Sequence, residues 1–381
     1  MYLKITLSGL LMIALSYGVA RFSFGLLAPI ISQDLHLTSY ELGTINSYSY
    51  LAYCIAIIIS TIGANKLDPK LFVILSGLSA TIGMIFIQTA DSKLVISIGI
   101  FISGMSTGLA SPALGQIVNN FINNNKDKAN SWINAGTGFG IVVSGPISLY
   151  FHQNWRNIYM IFILISLLVL ILNYVWLPKS NSLKDEETSK EFSFIKTLIK
   201  SRIIMISAIL VGISSAIYWT FAKSFISSIN TYTDTQLNLF WIVVGISGIL
   251  GGFTSNLIEK IGIKKIYIIS ICIISLSMII LVIKPEILLF PYLSAIVFGG
   301  TYILITGIYI AWGIRVLPNN HSLGICYPFL ALAFGQLIGS MLSGYLIDLY
   351  SYQISFYIFS CICLISLVFK PNLFEGTVDI E

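Results

Sequence analysis

The hydrophobic positions of this chain fall into long unbroken runs, and inside those runs apolar and polar residues do not alternate. A bilayer core about 30 Å thick is spanned by about 20 predominantly apolar residues in helical conformation. Runs of that kind lie at roughly 5–31, 41–63, 71–90, 94–121, 131–151, 157–177, 203–229, 237–258, 265–283, 287–314, 323–347 and 352–369. The pattern predicts an all-α membrane protein of twelve transmembrane helices. Barrel strands need segments of about 10 residues with alternating polarity, which this chain lacks.

The polar segments between the runs sort by charge. With the N-terminus placed in the cytoplasm, sixteen basic residues fall inside, among them Lys66, Lys70, Lys126, Lys128, Lys260, Lys264, Lys265 and Arg315, and only Lys93, Arg156 and Lys284 fall outside. The bias predicts cytoplasmic termini. It also explains the net charge of +5 without nucleic acid, because the basic residues are dispersed over many short loops and form no single face.

The longest polar segment, Pro178 to Lys200, mixes both charge signs and reads as a solvated tether with a short amphipathic helix at Phe192–Ile199. It divides the chain into an N-terminal six-helix bundle (1–177), a cytoplasmic linker (178–202) and a C-terminal six-helix bundle (203–381). The run spacing repeats between the halves, as expected of two parallel repeats. Glycines recur in the fifth run (Gly136, Gly138, Gly140, Gly145) and in its counterpart, the eleventh (Gly335, Gly339, Gly344). Such spacing lets helix backbones approach closely.

Composition narrows the class further. The chain is 56% hydrophobic and 10% charged over 381 residues, against roughly a quarter charged in soluble domains. Its five cysteines, Cys54, Cys272, Cys326, Cys361 and Cys363, all sit in apolar runs without metal-ligand spacing and read as small buried apolar residues. No disulfide, metal or cofactor is expected. The N-terminal run is too long for a signal peptide and contains Arg21, so it reads as a retained helix. No Walker A loop is present, no Ser-His-Asp set has a plausible common location, and no glycine fingerprint follows a strand. The sequence therefore predicts no enzyme.

Two cations remain inside helices, Arg21 and Lys223. A charge at membrane depth costs at least a few kcal/mol and marks a site or a buried partner. No Asp or Glu sits in the middle of a run, and His36, His152 and His321 lie in loops or at helix ends.

Around Arg21, the stretch Gly18-Val-Ala-Arg21-Phe-Ser-Phe-Gly-Leu-Leu-Ala-Pro29 resembles the first-helix signature of YbfB/YjiJ-type transporters of the major facilitator superfamily. Phe298-Gly299-Gly300-Thr301-Tyr302 and Ala333-Phe334-Gly335-Gln336-Leu337-Ile338-Gly339 are further points of similarity. The superfamily's loop motif, Gly-x-x-x-Asp-Arg-x-Gly-Arg-Lys, is matched in part by Glu259-Lys260-Ile-Gly262-Ile-Lys264-Lys265. After the second run Asp68 and Lys70 stand at altered spacing, without the second glycine. Turns with positive-inside lysines explain both loops as well.

The resemblance implies two bundles working by alternating access, with substrate near mid-membrane and helices 1, 4, 7 and 10 lining the cavity. On that frame Arg21 lies about 4–5 Å outward of the midplane and Lys223 roughly 10 Å outward. Two cations facing a cavity make an anion site, Arg as a planar fork and Lys as a point charge. Snorkelling to the interface remains open for Lys223, and a structural role for Arg21. Trp219 and Tyr218 are candidate wall residues. Tyr17, Asn46, Tyr50, Tyr53, Tyr302 and Gln336 could hydrogen-bond a substrate or a neighbouring helix. Trp132, Trp155, Trp176, Trp241 and Trp312 fall near helix ends and read as an interfacial belt.

The expected activity is secondary transport of a small anionic or zwitterionic organic solute by a monomer in the plasma membrane, coupled to a proton or a counter-anion. Efflux of amphipathic compounds and a non-transporting sensor or scaffold are the alternatives.

Overall fold

The computed structural model describes residues 1–64, 66–151, 154–179, 194–318 and 320–371, and the described residues form helices joined by short turns with no strand. Twelve long helices follow in order: α1 (Tyr2–Asp34), α2 (Ser39–Gly63), α3 (Pro69–Gln88), α4 (Lys93–Phe121), α5 (Lys126–Tyr150), α6 (Trp155–Trp176), α7 (Arg202–Ser228), α8 (Asp234–Ile261), α9 (Ile263–Ile283), α10 (Leu289–Val316), α11 (His321–Leu349) and α12 (Tyr352–Phe369). Among the described residues, eleven of these have the length and apolarity to cross a membrane. The other, α5, opens on Lys126-Asp127-Lys128 and carries Asn130, Asn134 and Thr137. It packs on α1 and α8, and Asn134 donates to the Ile303 carbonyl at 3.1 Å and to Thr306 Oγ1 at 3.0 Å, both in α10.

The short helix before α7 runs Phe194–Lys200. The greater part of the linker, with Lys184, Lys190 and Phe192, lies outside the described residues, as does His152.

Local chemistry sets the helix starts. Thr38 accepts from the Glu41 amide while Glu41 accepts from the Thr38 amide, and Thr233 and Gln236 repeat this capping box at the start of α8. The recurrence of one device at equivalent helices supports two related halves.

Within the first half α2 and α3 pack on α4, and α5 on α1; within the second, α7 packs on α11 and α10 on both α8 and α9. The two bundles meet along a seam built from α2 with α11, α5 with α8, and α1 with α7. We call the end where α1 begins the terminal end and the opposite end the far end. At the far end Glu41 pairs with Lys93 at 2.5 Å, Asp34 pairs with Arg156 at 2.9 Å, and the Tyr40 amide donates to Asp348 at 2.8 Å.

Small residues bring the seam to backbone contact. A Cβ on Gly138 of α5 would sit 2.8 Å from the Gly245 carbonyl oxygen of α8, and one on Gly43 of α2 would overlap the Ser340 carbonyl oxygen of α11. The glycine spacing noted in α5 and α11 is therefore used for close packing.

Three expectations are corrected. Trp155, Trp241 and Trp312 are buried in the protein and form no lipid-facing belt, because their rings pack on Tyr159, Trp219 and Tyr309. Cys272 and Cys361 are exposed on the outside of the bundle. Helix α1 is not α-helical throughout, as Ala14–Phe22 is wound as a π-helix.

Candidate functional site

The π-helical stretch of α1 holds Arg21. Wider winding of this kind is rare and concentrates at functional sites, because it turns side chains off the faces that regular spacing assigns them. Arg21 is 4% exposed. Its guanidinium carbon lies 4.3 Å from the ring centre of Tyr50, 4.9 Å from Tyr53, 5.1 Å from Phe22 and 5.6 Å from Tyr17, within cation–π range of all four. Its Nη2 donates to Gln336 Oε1 at 2.6 Å, across the seam, and Gln336 Nε2 donates to the Tyr302 hydroxyl at 2.9 Å.

Among the described residues no carboxylate completes this cage. The ion pairs seen among the described residues, Lys93–Glu41 and Arg156–Asp34, both lie at the far end. Three donors around the cage are instead buried without an acceptor: Arg21 Nε, Trp219 Nε1 and Trp241 Nε1. Trp219 stacks on Phe22 with ring centres 4.0 Å apart and meets Tyr302 edge-on at 5.0 Å and Trp241 at 6.0 Å. The cage thus carries more hydrogen-bond donors than the protein itself satisfies.

The Tyr17 hydroxyl bonds the Tyr53 hydroxyl at 2.7 Å and Ser111 Oγ at 2.8 Å. Tyr17 and Ser111 also wall a small cavity of about 30 Å³ that runs toward the terminal end between α4, α5, α10 and α11. Asn46 donates to Thr220 Oγ1 at 2.7 Å and to Ser340 Oγ at 3.3 Å, closing the seam on the far side of the cage.

Of the residues singled out from the sequence, Arg21, Tyr17, Tyr50, Tyr53, Trp219, Tyr302 and Gln336 converge here, with Asn46 adjoining. Tyr218 does not: its ring stacks on Phe298 at 3.6 Å and its hydroxyl bonds Ser294, inside the second bundle. Lys223 stands apart as well. It is 4% exposed and does not snorkel, since its Nζ donates to Asn238 Oδ1 at 2.9 Å. It lines a separate cavity of about 150 Å³ at the far end. Phe22, Ser111, Thr220, Ser340 and Asn238 were not singled out from the sequence; single hydroxyls and amides in apolar helices are too common to mark a site without a fold.

The loop residues have structural work. Asp68 accepts from the Lys70 amide at 3.0 Å as the cap of α3. Lys70 Nζ donates to the carbonyls of Tyr174 and Leu177 at 2.6 and 2.7 Å, holding the end of α6. Gly262, at φ +85°, makes the turn between α8 and α9 beside Lys260, Lys264 and Lys265. Glu259 lines a terminal-end cavity with Asp127 and Arg315. Among the described residues no three His, Cys, Asp or Glu side chains gather as a metal would require.

Comparison with known proteins fits this geometry. The family model of the Major Facilitator Superfamily matches residues 10–325, and that of the BT1 family matches residues 286–381. The AraJ protein of Escherichia coli (strain K12), whose name proposes a transporter, is 20% identical over 253 residues. That match covers 64% of this chain and 63% of AraJ's length. Among solved structures, the nucleoside transporter NupG superposes with a TM-score of 0.72 at 17% identity, covering 97% of this chain and 98% of NupG. The human organic anion transporter MFSD10 superposes with a TM-score of 0.72 at 13% identity, covering 97% and 99%. At these identities the likeness speaks for the fold. A family model spanning most of the chain places this multi-pass membrane protein, whose two six-helix bundles meet on a close-packed seam, in the major facilitator superfamily.

Proposed function

We propose that this chain is a secondary active transporter that moves a small anionic or zwitterionic organic solute by alternating access. Arg21 is its principal anchor and Lys223 an auxiliary cation nearer the far end. The observation that carries the reading is the donor surplus of the Arg21 cage: Arg21 Nε and the indole N–H groups of Trp219 and Trp241 are buried without an acceptor. A buried donor left unpaired costs about 1–3 kcal/mol. A cargo bearing a carboxylate or phosphate removes that cost, and the planar guanidinium fork is shaped for such groups.

The bond from Arg21 to Gln336 joins the bundles, so parting them frees the fork for cargo. Tyr17 and Ser111, at the mouth of the small cavity, mark the route toward the terminal end. Among the described residues every Asp and Glu sits at a helix end or in a turn. The coupling proton therefore travels on Lys223 or on the cargo itself, or a counter-anion takes its place. The remaining parts of the reading follow from the sequence: the YbfB/YjiJ-type branch of the superfamily, a plasma-membrane location with both termini cytoplasmic, a monomer, and no enzymatic step. Efflux of amphipathic compounds is the second reading, favoured by the aromatic surface of Phe22, Trp219, Phe298 and Tyr302.

The test is thermal stabilisation of the purified protein by anionic, zwitterionic, neutral and cationic metabolites, on wild type and Arg21→Gln, followed by flux of each hit in proteoliposomes. A ligand at 100 times its dissociation constant stabilises by about 2.7 kcal/mol. Anionic or zwitterionic hits that vanish in Arg21→Gln and move in liposomes uphold the proposal. Hits confined to neutral and cationic amphiphiles replace it with efflux, and binding without flux replaces it with a sensor.

A further inference from the structure

The far-end cavity around Lys223 shares no residue with the contacts of Arg21. It is walled by α1 and α5 of the first bundle and by α7 and α8 of the second. Its volume of about 150 Å³ matches that of a cavity able to hold a guest the size of benzene.

Two features mark it as built for a ligand. The Lys223 ammonium has three N–H groups, and Asn238 Oδ1 takes one of them at 2.9 Å. Across the cavity, on the opposite bundle, Ser148 is 1% exposed and its Oγ is buried with no hydrogen-bond partner. A cation and an orphaned hydroxyl facing one space from two bundles are what a carboxylate would bridge.

Asp234 and Thr235, at the start of α8, line the cavity on the Lys223 side, and Gln33 of α1 lines it on the other. One cation and one acid line the cavity, so a purely anionic guest meets repulsion from Asp234, whereas a guest with both charges meets a complement to each. We infer that this cavity is a second small-molecule site, distinct from the Arg21 cage, which takes a compact zwitterion with its carboxylate on Lys223 and Ser148 and its ammonium toward Asp234. Because both bundles furnish contacts, an occupied site holds the far end of the seam together. The inference stands independently of the reading of Arg21 as cargo anchor.

The experiment uses the full chain purified in detergent, with L-alanine as the zwitterionic probe and propionate and ethylamine as its single-charge counterparts. Thermal stabilisation is titrated on wild type, Arg21→Gln, Lys223→Met, Asp234→Asn and Ser148→Leu, the last filling the cavity from the other bundle. The expected result is that L-alanine stabilises wild type and Arg21→Gln alike, with half-saturation raised at least about tenfold in the other three variants, a change of 1.4 kcal/mol. Ser148→Leu carries the test if Lys223→Met does not fold. A wild type that ignores L-alanine overturns the inference. Propionate binding as tightly as L-alanine also does so, as does a response lost in Arg21→Gln but kept in Lys223→Met. Failure of the Arg21 anchor to bind anions leaves the outcome untouched, so the two proposals fail separately.

Discussion

Arg21 in the first bundle and Gln336 in the second share a 2.6 Å hydrogen bond through the protein interior. It is the charged contact of the Arg21 cage across the seam, and Gln336 passes it on to Tyr302. A neutral amide binds the guanidinium firmly enough to order it, yet weakly enough to be displaced by a carboxylate.

Replacing that amide separates the two roles. Gln336→Leu removes the acceptor of Arg21 and the partner of Tyr302, and is expected to lower the stability of the purified protein by about 1–2 kcal/mol in denaturant unfolding. Gln336→Glu supplies a resident carboxylate and is expected to abolish stabilisation by anionic ligands while leaving the protein folded. If Gln336→Glu binds such ligands as wild type does, the amide is no stand-in for cargo.

Arg21→Lys keeps the charge and discards the fork. A compact ammonium makes single point contacts and stacks less well on the rings of Tyr50 and Phe22. Affinity for carboxylate ligands is expected to fall at least about tenfold in thermal-shift titration, which corresponds to 1.4 kcal/mol. Equal affinity in the two proteins would show that charge alone is read.

Much of this was legible in the sequence, and the part that was not has a physical cause. Twelve helices could be read because membrane thickness fixes run length. Arg21 stood out because a cation in an apolar run is costly. The meeting of Arg21 with Gln336 was hidden, since helix rotation is set by packing and the π-helical winding of Ala14–Phe22 leaves no mark in composition. Trp241 misled for a related reason: proximity to a helix end says how deep a side chain sits, not which way it faces, and this one faces Trp219. Lys223 was noticed as an intramembrane cation, but helix rotation left open whether it shares a cavity with Arg21, and the structure gives it a cavity of its own.

Lys70, at the start of α3, has a structural task. Its ammonium holds the carbonyls of Tyr174 and Leu177, which end α6 and lack helical partners. Lys70→Met leaves those acceptors unsatisfied and is expected to cost about 1–3 kcal/mol in unfolding measurements, with ligand affinity unchanged. Loss of ligand binding at wild-type stability would instead assign Lys70 to gating.

Gly262 isolates a backbone effect. Its φ is +85°, and nothing lies within 4 Å of where a Cβ would stand. Any loss on substitution is conformational, about 1–3 kcal/mol for an L residue held at this φ with ψ 145°. Gly262→Ala and Gly262→Asn are both expected to lower stability by that amount, because the tolerance of Asn for positive φ is confined to left-handed helical ψ and Gly262 has ψ 145°. Equal melting temperatures for wild type and Gly262→Ala would mean that the turn relaxes to another conformation.

The close contact between α2 and α11 gives the sharpest test of how the far end stays shut. A Cβ on Gly43 would overlap the Ser340 carbonyl oxygen, and one on Gly344 would overlap that of Ser39, so the two helices touch backbone to backbone from both sides. Gly43→Ala cannot be absorbed by a rotamer change, because the obstacle is main chain. The seam must part, and overpacking of this kind costs about 1–3 kcal/mol, enough to move a two-state balance at least about fivefold. Thr220, fully buried behind this contact, reports the change. With the five native cysteines replaced by alanine and Thr220→Cys introduced, a membrane-impermeant maleimide applied from the far side is expected to label Gly43→Ala at least about fivefold faster than its Gly43 parent. An unchanged rate in a folded Gly43→Ala protein would mean that the far end is held by other contacts, and the Asn46 bond to Ser340, the Thr220 acceptor being already removed by Thr220→Cys, becomes the next to cut.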